Sequence, residues 1–156
     1  EGGRRAGTEC VVLQAALGKA CEIARAELVP LRAHMELCTD RLRAALEAGL
    51  GRESVRVNGP AAEAHRLPNT LSIGIRGVQA SELLARLSTK LAASAGAACH
   101  SGEASVSSVL RAMDVPREFA IGTLRLSTGR HTTVSEIDCA AELIIEEVRR
   151  QWAAAS

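Results

Sequence analysis

The sequence predicts an α/β domain of the α+β kind, a small sheet packed with helices. Two long stretches carry apolar residues at helical spacing, and the short runs between them alternate apolar and polar residues as half-buried strands do. The core must be aliphatic: 47% of the 156 residues are apolar, yet Phe119 and Trp152 are the only aromatics. A chain of this length suits one compact domain, so residues 1–156 are read as a single unit.

The first helical stretch runs from Val11 to Leu50, with Val12, Ala16, Ile23, Leu31, Met35, Leu42 and Leu46 in register. Pro30 lacks an amide hydrogen and crowds the preceding turn, which predicts a kink or two abutting helices there. Gly49 and Gly51 mark the end, and the charges along the stretch are read as a solvated face. Residues 54–57 and 70–75 read as strands, the second following Pro68 and alternating at Leu71, Ile73 and Ile75. Helical spacing returns over 79–88, a strand is expected at 91–94, a helix at 106–113 and a strand at 123–127. Thr133 and Glu136 have the spacing of a capping box, in which two side chains satisfy amides at a helix start. Ile137, Ala141, Ile144, Val148 and Trp152 then continue one apolar face.

Composition excludes several function classes. Lys and Arg number 19 against 18 Asp and Glu, and stacking aromatics are missing, which argues against nucleic-acid binding. Cys10, Cys21, Cys38, Cys99 and Cys139 are odd in number and show no CxxC or Cys/His metal spacing, which argues against a disulfide framework and against a metal site. A reducing, cytosolic compartment fits such cysteines. No apolar run approaches the roughly 20 residues that cross a bilayer, and nothing resembles a signal peptide, so a soluble protein without membrane contact is expected. The opening EGGRRAGTE, without methionine, reads as the middle of a loop and hence as part of a longer polypeptide.

The chemistry concentrates in two motifs. SAGAACHSG, residues 94–102, sets Cys99 among residues too small to cover it and beside His100. An arbitrary cysteine is usually a small buried hydrophobe, but the polar stretch after Cys99 offers little apolar burial, so a mobile loop is expected there. A thiol acts as thiolate, and nearby cations lower its pKa from about 8.5 toward neutrality. RLSTGR, residues 125–130, places Arg125 and Arg130 around a short polar turn. The pair of motifs reads as reactive sulfur chemistry on an anionic substrate.

EGGRRAGTE at 1–9, LPNT at 67–70, SAGAACHS at 94–101 and RLSTGRHTT at 125–133, in that order and spacing, make the chain resemble the class V, fold-type I pyridoxal-phosphate enzymes of the cysteine desulfurase and selenocysteine lyase branch. The resemblance covers essentially the whole chain but only the carboxy-terminal small domain of that family. It implies that Cys99 attacks the sulfur or selenium of the cofactor-bound amino acid, and that Arg125 grips the substrate carboxylate through two parallel donors. It also implies that Thr8, next to Gly7, reaches across a homodimer to the phosphate of the partner subunit's cofactor. For Thr8 the competing reading is a helix N-cap, for Arg125 a surface salt bridge, and for His100 a plain solvated histidine instead of a group that stabilises the thiolate or supplies a proton. Arg130 is open between substrate binding and a structural role, and His65 and Asn69 are read as structural.

The implied activity removes selenium or sulfur from L-selenocysteine or L-cysteine to give alanine, with pyridoxal 5′-phosphate as electron sink and an acceptor protein as a possible recipient. GAACHS tilts the reading toward selenocysteine lyase. Departures from the family pattern are informative. Lys19 and Lys90 are the only lysines, and neither stands in a context resembling the cofactor lysine, so the cofactor is expected to be held mainly by a large domain. Cys10 stands where an asparagine is usual. A truncated, catalytically inert dimerisation or chalcogen-carrier module is the alternative reading, and an aminotransferase of the same fold is disfavoured because it needs no mobile cysteine.

Overall fold

A computed structural model of the chain describes residues 3, 6–60, 66–96 and 106–155. Cys99 and His100, with the loop expected around them, and His65 lie outside the described residues. The elements, in order, are α1 (Val11–Leu50), a short 3-10 turn (Arg52–Ser54), β1 (Val55–Val57), β2 (Thr70–Ile75), α2 (Ala80–Leu87) and β3 (Ser94–Ala95). They continue with α3 (Ser108–Ala112), α4 (Arg117–Ala120), β4 (Thr123–Ser127) and α5 (Val134–Ala155). The strands form one antiparallel sheet in the order β1-β2-β4-β3, which is the small α+β domain the sequence predicts.

Strand alternation builds the core. Leu71, Ile73, Ile75, Leu124 and Leu126 face one side of the sheet and join Leu42 and Leu46 of α1, Leu83 of α2, and Ile137, Ile144 and Val148 of α5 in one buried cluster. Among the described residues, the opposite face is covered at one end, where Leu110, Val115, Phe119 and Ala120 form a smaller cluster. Gly74 permits that cover, since a Cβ there would stand 2.7 Å from the carbonyl oxygen of Phe119.

Helix α1 runs unbroken through Pro30, so two abutting helices are not formed. Proline removes one i to i−4 hydrogen bond, leaving the Ala26 carbonyl without its donor; Ala26 and Pro30 are both exposed, so that part of the helix faces solvent. The second half of α1 is buried against α5 and the sheet at Cys38, Leu42, Leu46 and Leu50, whereas Val11, Val12, Leu13, Leu17, Leu28 and Val29 of the first half are exposed. The charges of α1 are not merely a solvated face: Arg41 donates to both Asp138 carboxylate oxygens, at 2.6 and 2.9 Å, and Glu27 accepts from Arg130 at 2.7 Å.

The capping box at α5 is present as expected. The Glu136 carboxylate accepts from the Thr133 backbone N–H at 2.7 Å, and the Thr133 hydroxyl accepts from the Glu136 N–H at 3.2 Å. That hydrogen bonding holds the Glu136 carboxyl below its ordinary pKa. Other boundaries shift slightly. The strand expected at 91–94 forms as the two-residue β3, starting three residues later and ending one later, Ser54 belongs to the 3-10 turn, and the helix expected at 106–113 is trimmed to α3. Helix α4 is an addition, too short at four residues for a periodic signal.

Candidate functional site

Arg125 occupies the middle of the partly open face. On β4 it alternates with the buried Leu124 and Leu126, so its side chain emerges on the side away from the main core. It is paired in register with Ser72 of β2 and with Ser94 of β3. Residues directly opposite across an antiparallel pair share a face, so the row reads Ser72, Arg125, Ser94. Arg125 is exposed, and among the described residues its guanidinium makes no hydrogen bond or ion pair. Small hydroxyl neighbours leave a cation uncovered without neutralising it.

The chain that leads to Cys99 leaves the sheet on the same strand pair. Gly96, just beyond β3, donates its N–H to the Thr123 carbonyl at 2.7 Å, two residues from Arg125. A Cβ at Gly96 would stand 2.5 Å from Thr123 Cγ2, so glycine at 96 is also a packing requirement. Beneath this row lies a hydrogen-bonded polar group. Asn58, buried, donates from Nδ2 to Ser72 Oγ and to Thr123 Oγ1, both at 3.3 Å, and Thr123 donates to the Phe119 carbonyl at 2.9 Å.

Arg130 separates from Arg125 in role. Its guanidinium is paired with Glu27 on α1, and the turn it belongs to is fixed further by His34 Nε2 at 2.8 Å from the Thr132 carbonyl oxygen and by the Gly129 N–H donating to Thr132 Oγ1 at 2.9 Å. Cys38 is fully buried beside His34, and burial pushes its thiol up from the ordinary range, which makes it the least reactive described cysteine. Cys10, Cys21 and Cys139 are exposed, so exposure alone does not set Cys99 apart. Asn69 has the structural role read for it, its carbonyl accepting from the Thr128 N–H at 2.9 Å and its side chain from the Thr70 hydroxyl at 3.2 Å.

Thr8 is exposed just ahead of α1, and the residue that caps the helix is Cys10, without a side-chain capping bond. The N-cap reading of Thr8 is therefore not the one realised. Gly7, preceding it, has φ of +92°, a conformation suited to glycine. Neither lysine stands in a cleft. Lys19 is on the exposed side of α1, 3.0 Å from Glu22, and Lys90 follows α2 in an exposed turn. Among the described residues there is no cluster of metal-ligating side chains, and no helix is long and apolar enough to cross a membrane.

Sequence reading had not singled out Ser72, Ser94, Asn58 or His34. A signal existed for the first: strand alternation already put Ser72 opposite Leu71 and Ile73, on the polar side.

The chain belongs to the aminotransferase class-V family, whose model matches residues 2–139. That family implies pyridoxal phosphate in general terms. The chain is 38% identical over 149 residues to selenocysteine lyase of Homo sapiens, covering 94% of this chain and 32% of that protein. It is 39% identical over 153 residues to cysteine desulfurase 2 of Trichormus variabilis, covering 96% and 37% respectively. Among solved structures it superposes on a NifS-like protein with a TM-score of 0.71 at 31% identity, covering 94% of this chain and 36% of that one. The chain therefore spans about a third of the length of the curated relatives it matches.

Proposed function

We propose that this chain is the substrate-recognising and chalcogen-accepting part of a pyridoxal-phosphate-dependent selenocysteine lyase or cysteine desulfurase. The observation that carries the reading is Arg125: an exposed guanidinium without a partner among the described residues, held rigidly in the centre of a sheet face. A guanidinium so placed offers a planar pair of donors that matches a carboxylate. The sequence SAGAACHS begins beside it, and three residues of chain from Gly96 reach roughly 10 Å, a tether of the length needed to work on a ligand bound at Arg125.

In this reading the carboxylate of L-cysteine or L-selenocysteine docks on Arg125, and the Cys99 thiolate attacks the substrate's sulfur or selenium. A sulfur–sulfur or sulfur–selenium bond forms, the bond from that atom to carbon breaks, and its electron pair stays on carbon, which gains a proton to leave as alanine. The enzyme is left with a persulfide or selenenylsulfide on Cys99, to be passed to an acceptor. Pyridoxal phosphate, when bound, supplies the electron sink that activates the carbon skeleton. Its attachment lysine is not among Lys19 and Lys90, so it would come from elsewhere in the protein, with Thr8 as this chain's phosphate contact across a dimer. His100, next to the thiol, would steady the thiolate or move its proton. A cytosolic location fits a reactive thiol of this kind.

The test is Cys99→Ala in the full-length protein, with alanine formation from L-cysteine as readout. Loss of sulfur release with retained substrate binding supports the reading. Unchanged turnover of both L-cysteine and L-selenocysteine removes Cys99 as the transferring nucleophile.

A further inference from the structure

We infer that Ser72 is a second carboxylate donor, working beside Arg125 and set in its orientation by Asn58; the inference rests on the carboxylate reading of Arg125. Ser72 and Arg125 are register partners on the same face of the sheet. The orientation of the hydroxyl follows from a chain of hydrogen bonds. Thr123 Oγ1 spends its only hydrogen on the buried Phe119 carbonyl, at 2.9 Å. Toward Asn58 it can then act only as acceptor, consistent with the Asn58 amide turning Nδ2 toward Thr123 and leaving its buried Oδ1 without a partner among the described residues. The same Nδ2 faces Ser72 Oγ at 3.3 Å, so Ser72 also accepts there. Its own hydrogen is turned away from Asn58, and among the described residues nothing accepts it.

Ser72 is half-buried, on the face of the sheet away from α1. A carboxylate has two oxygens and about four acceptor sites. The Arg125 fork and the Ser72 hydroxyl together satisfy more of them than either does alone, and the added donor fixes the direction in which the amino acid lies across the sheet.

The test compares L-cysteine with cysteamine, the same molecule without its carboxylate, in the full-length protein and in its Ser72→Ala, Ser72→Thr and Arg125→Ala variants. Ser72→Ala is expected to raise KM for L-cysteine by about 10-fold, to leave kcat within about 2-fold, and to leave inhibition by cysteamine unchanged. Ser72→Thr keeps the hydroxyl and is expected to recover most of the loss. A normal KM in Ser72→Ala alongside an impaired Arg125→Ala overturns the role of Ser72 and leaves the carboxylate reading standing. Equal weakening of L-cysteine and cysteamine overturns it too, by showing a general structural effect. Normal L-cysteine kinetics in Arg125→Ala removes the carboxylate reading and this inference with it.

Discussion

The two faces of the sheet are made from the same strands, one residue out of step, and they do opposite work. On one face Ile73 and Leu124 are completely buried against α1, α2 and α5. On the other, at the adjacent positions, Ser72 accepts a hydrogen bond from Asn58 and the Arg125 guanidinium makes none among the described residues. The difference teaches that apolar burial on one side pays the entropy cost of ordering β2 and β4, which leaves the other side free to hold a cation rigidly in an exposed position. Because register fixes both faces together, the core sets where the guanidinium stands.

The covered face should dominate stability. Leu124→Ala in the 156-residue chain is expected to cost about 2–5 kcal/mol, the range for truncating a buried leucine, read from the midpoint of urea unfolding. A loss below about 1 kcal/mol would mean that the helix layer does not hold β4 in place. Glu147 of α5 extends the test to charge. Its carboxylate is buried and accepts from Arg150 at 2.8 Å, with Arg86 at 3.5 Å, and the Arg150 hydrogen bond, followed by the attraction of both arginines, holds its pKa below the ordinary value against the opposing effect of burial. A depressed carboxylate pKa contributes stability that is complete above the unfolded value, about 4.3, and is lost as pH falls through the folded one. Glu147→Gln is thus expected to cost about 1–2 kcal/mol at pH 7 and progressively less below pH about 4. Thermal melts across that range check it, and a cost independent of pH would refute it.

Smaller effects sharpen the contrast. Thr133→Ala removes the cap of α5 and should cost about 1 kcal/mol, measured in the same urea series. Arg125→Ala should change stability by no more than about 0.5 kcal/mol, as for a surface position away from packing, whereas Ser72→Ala takes an acceptor from the buried Asn58 amide and should cost about 1 kcal/mol. An Arg125→Ala protein as destabilised as Leu124→Ala would erase the distinction between the faces.

The sequence read Thr70–Ile75 and Thr123–Ser127 to the residue because alternation of β-branched and aliphatic residues there agrees with burial of one face. The Thr133 and Glu136 box was legible for a similar reason, since capping is local. At Pro30 the sequence left a kink and two abutting helices open; continuous α1 excludes the second, because the cost of proline depends on whether solvent reaches the freed carbonyl, which tertiary placement decides. Four-residue α4 and two-residue β3 are made by contacts distant in sequence, with Gly74 and with β4. At the site, Arg125 stood out through RLSTGR. Ser72 did not, because a serine in a strand is commonplace until register sets it beside an arginine more than fifty residues away.

Carboxylate recognition by Arg125 is tested most directly by the substrate dependence of alanine formation from L-cysteine in full-length wild type, Arg125→Ala and Arg125→Lys. Removing one partner of a desolvated charge pair costs about 2–5 kcal/mol, so kcat/KM in Arg125→Ala should fall by at least about 30-fold. Arg125→Lys should recover only part of that, since it keeps the charge and loses the fork. Near-normal kcat/KM in both variants would contradict the account and return Arg125 to the surface of the sheet as an ordinary solvated arginine.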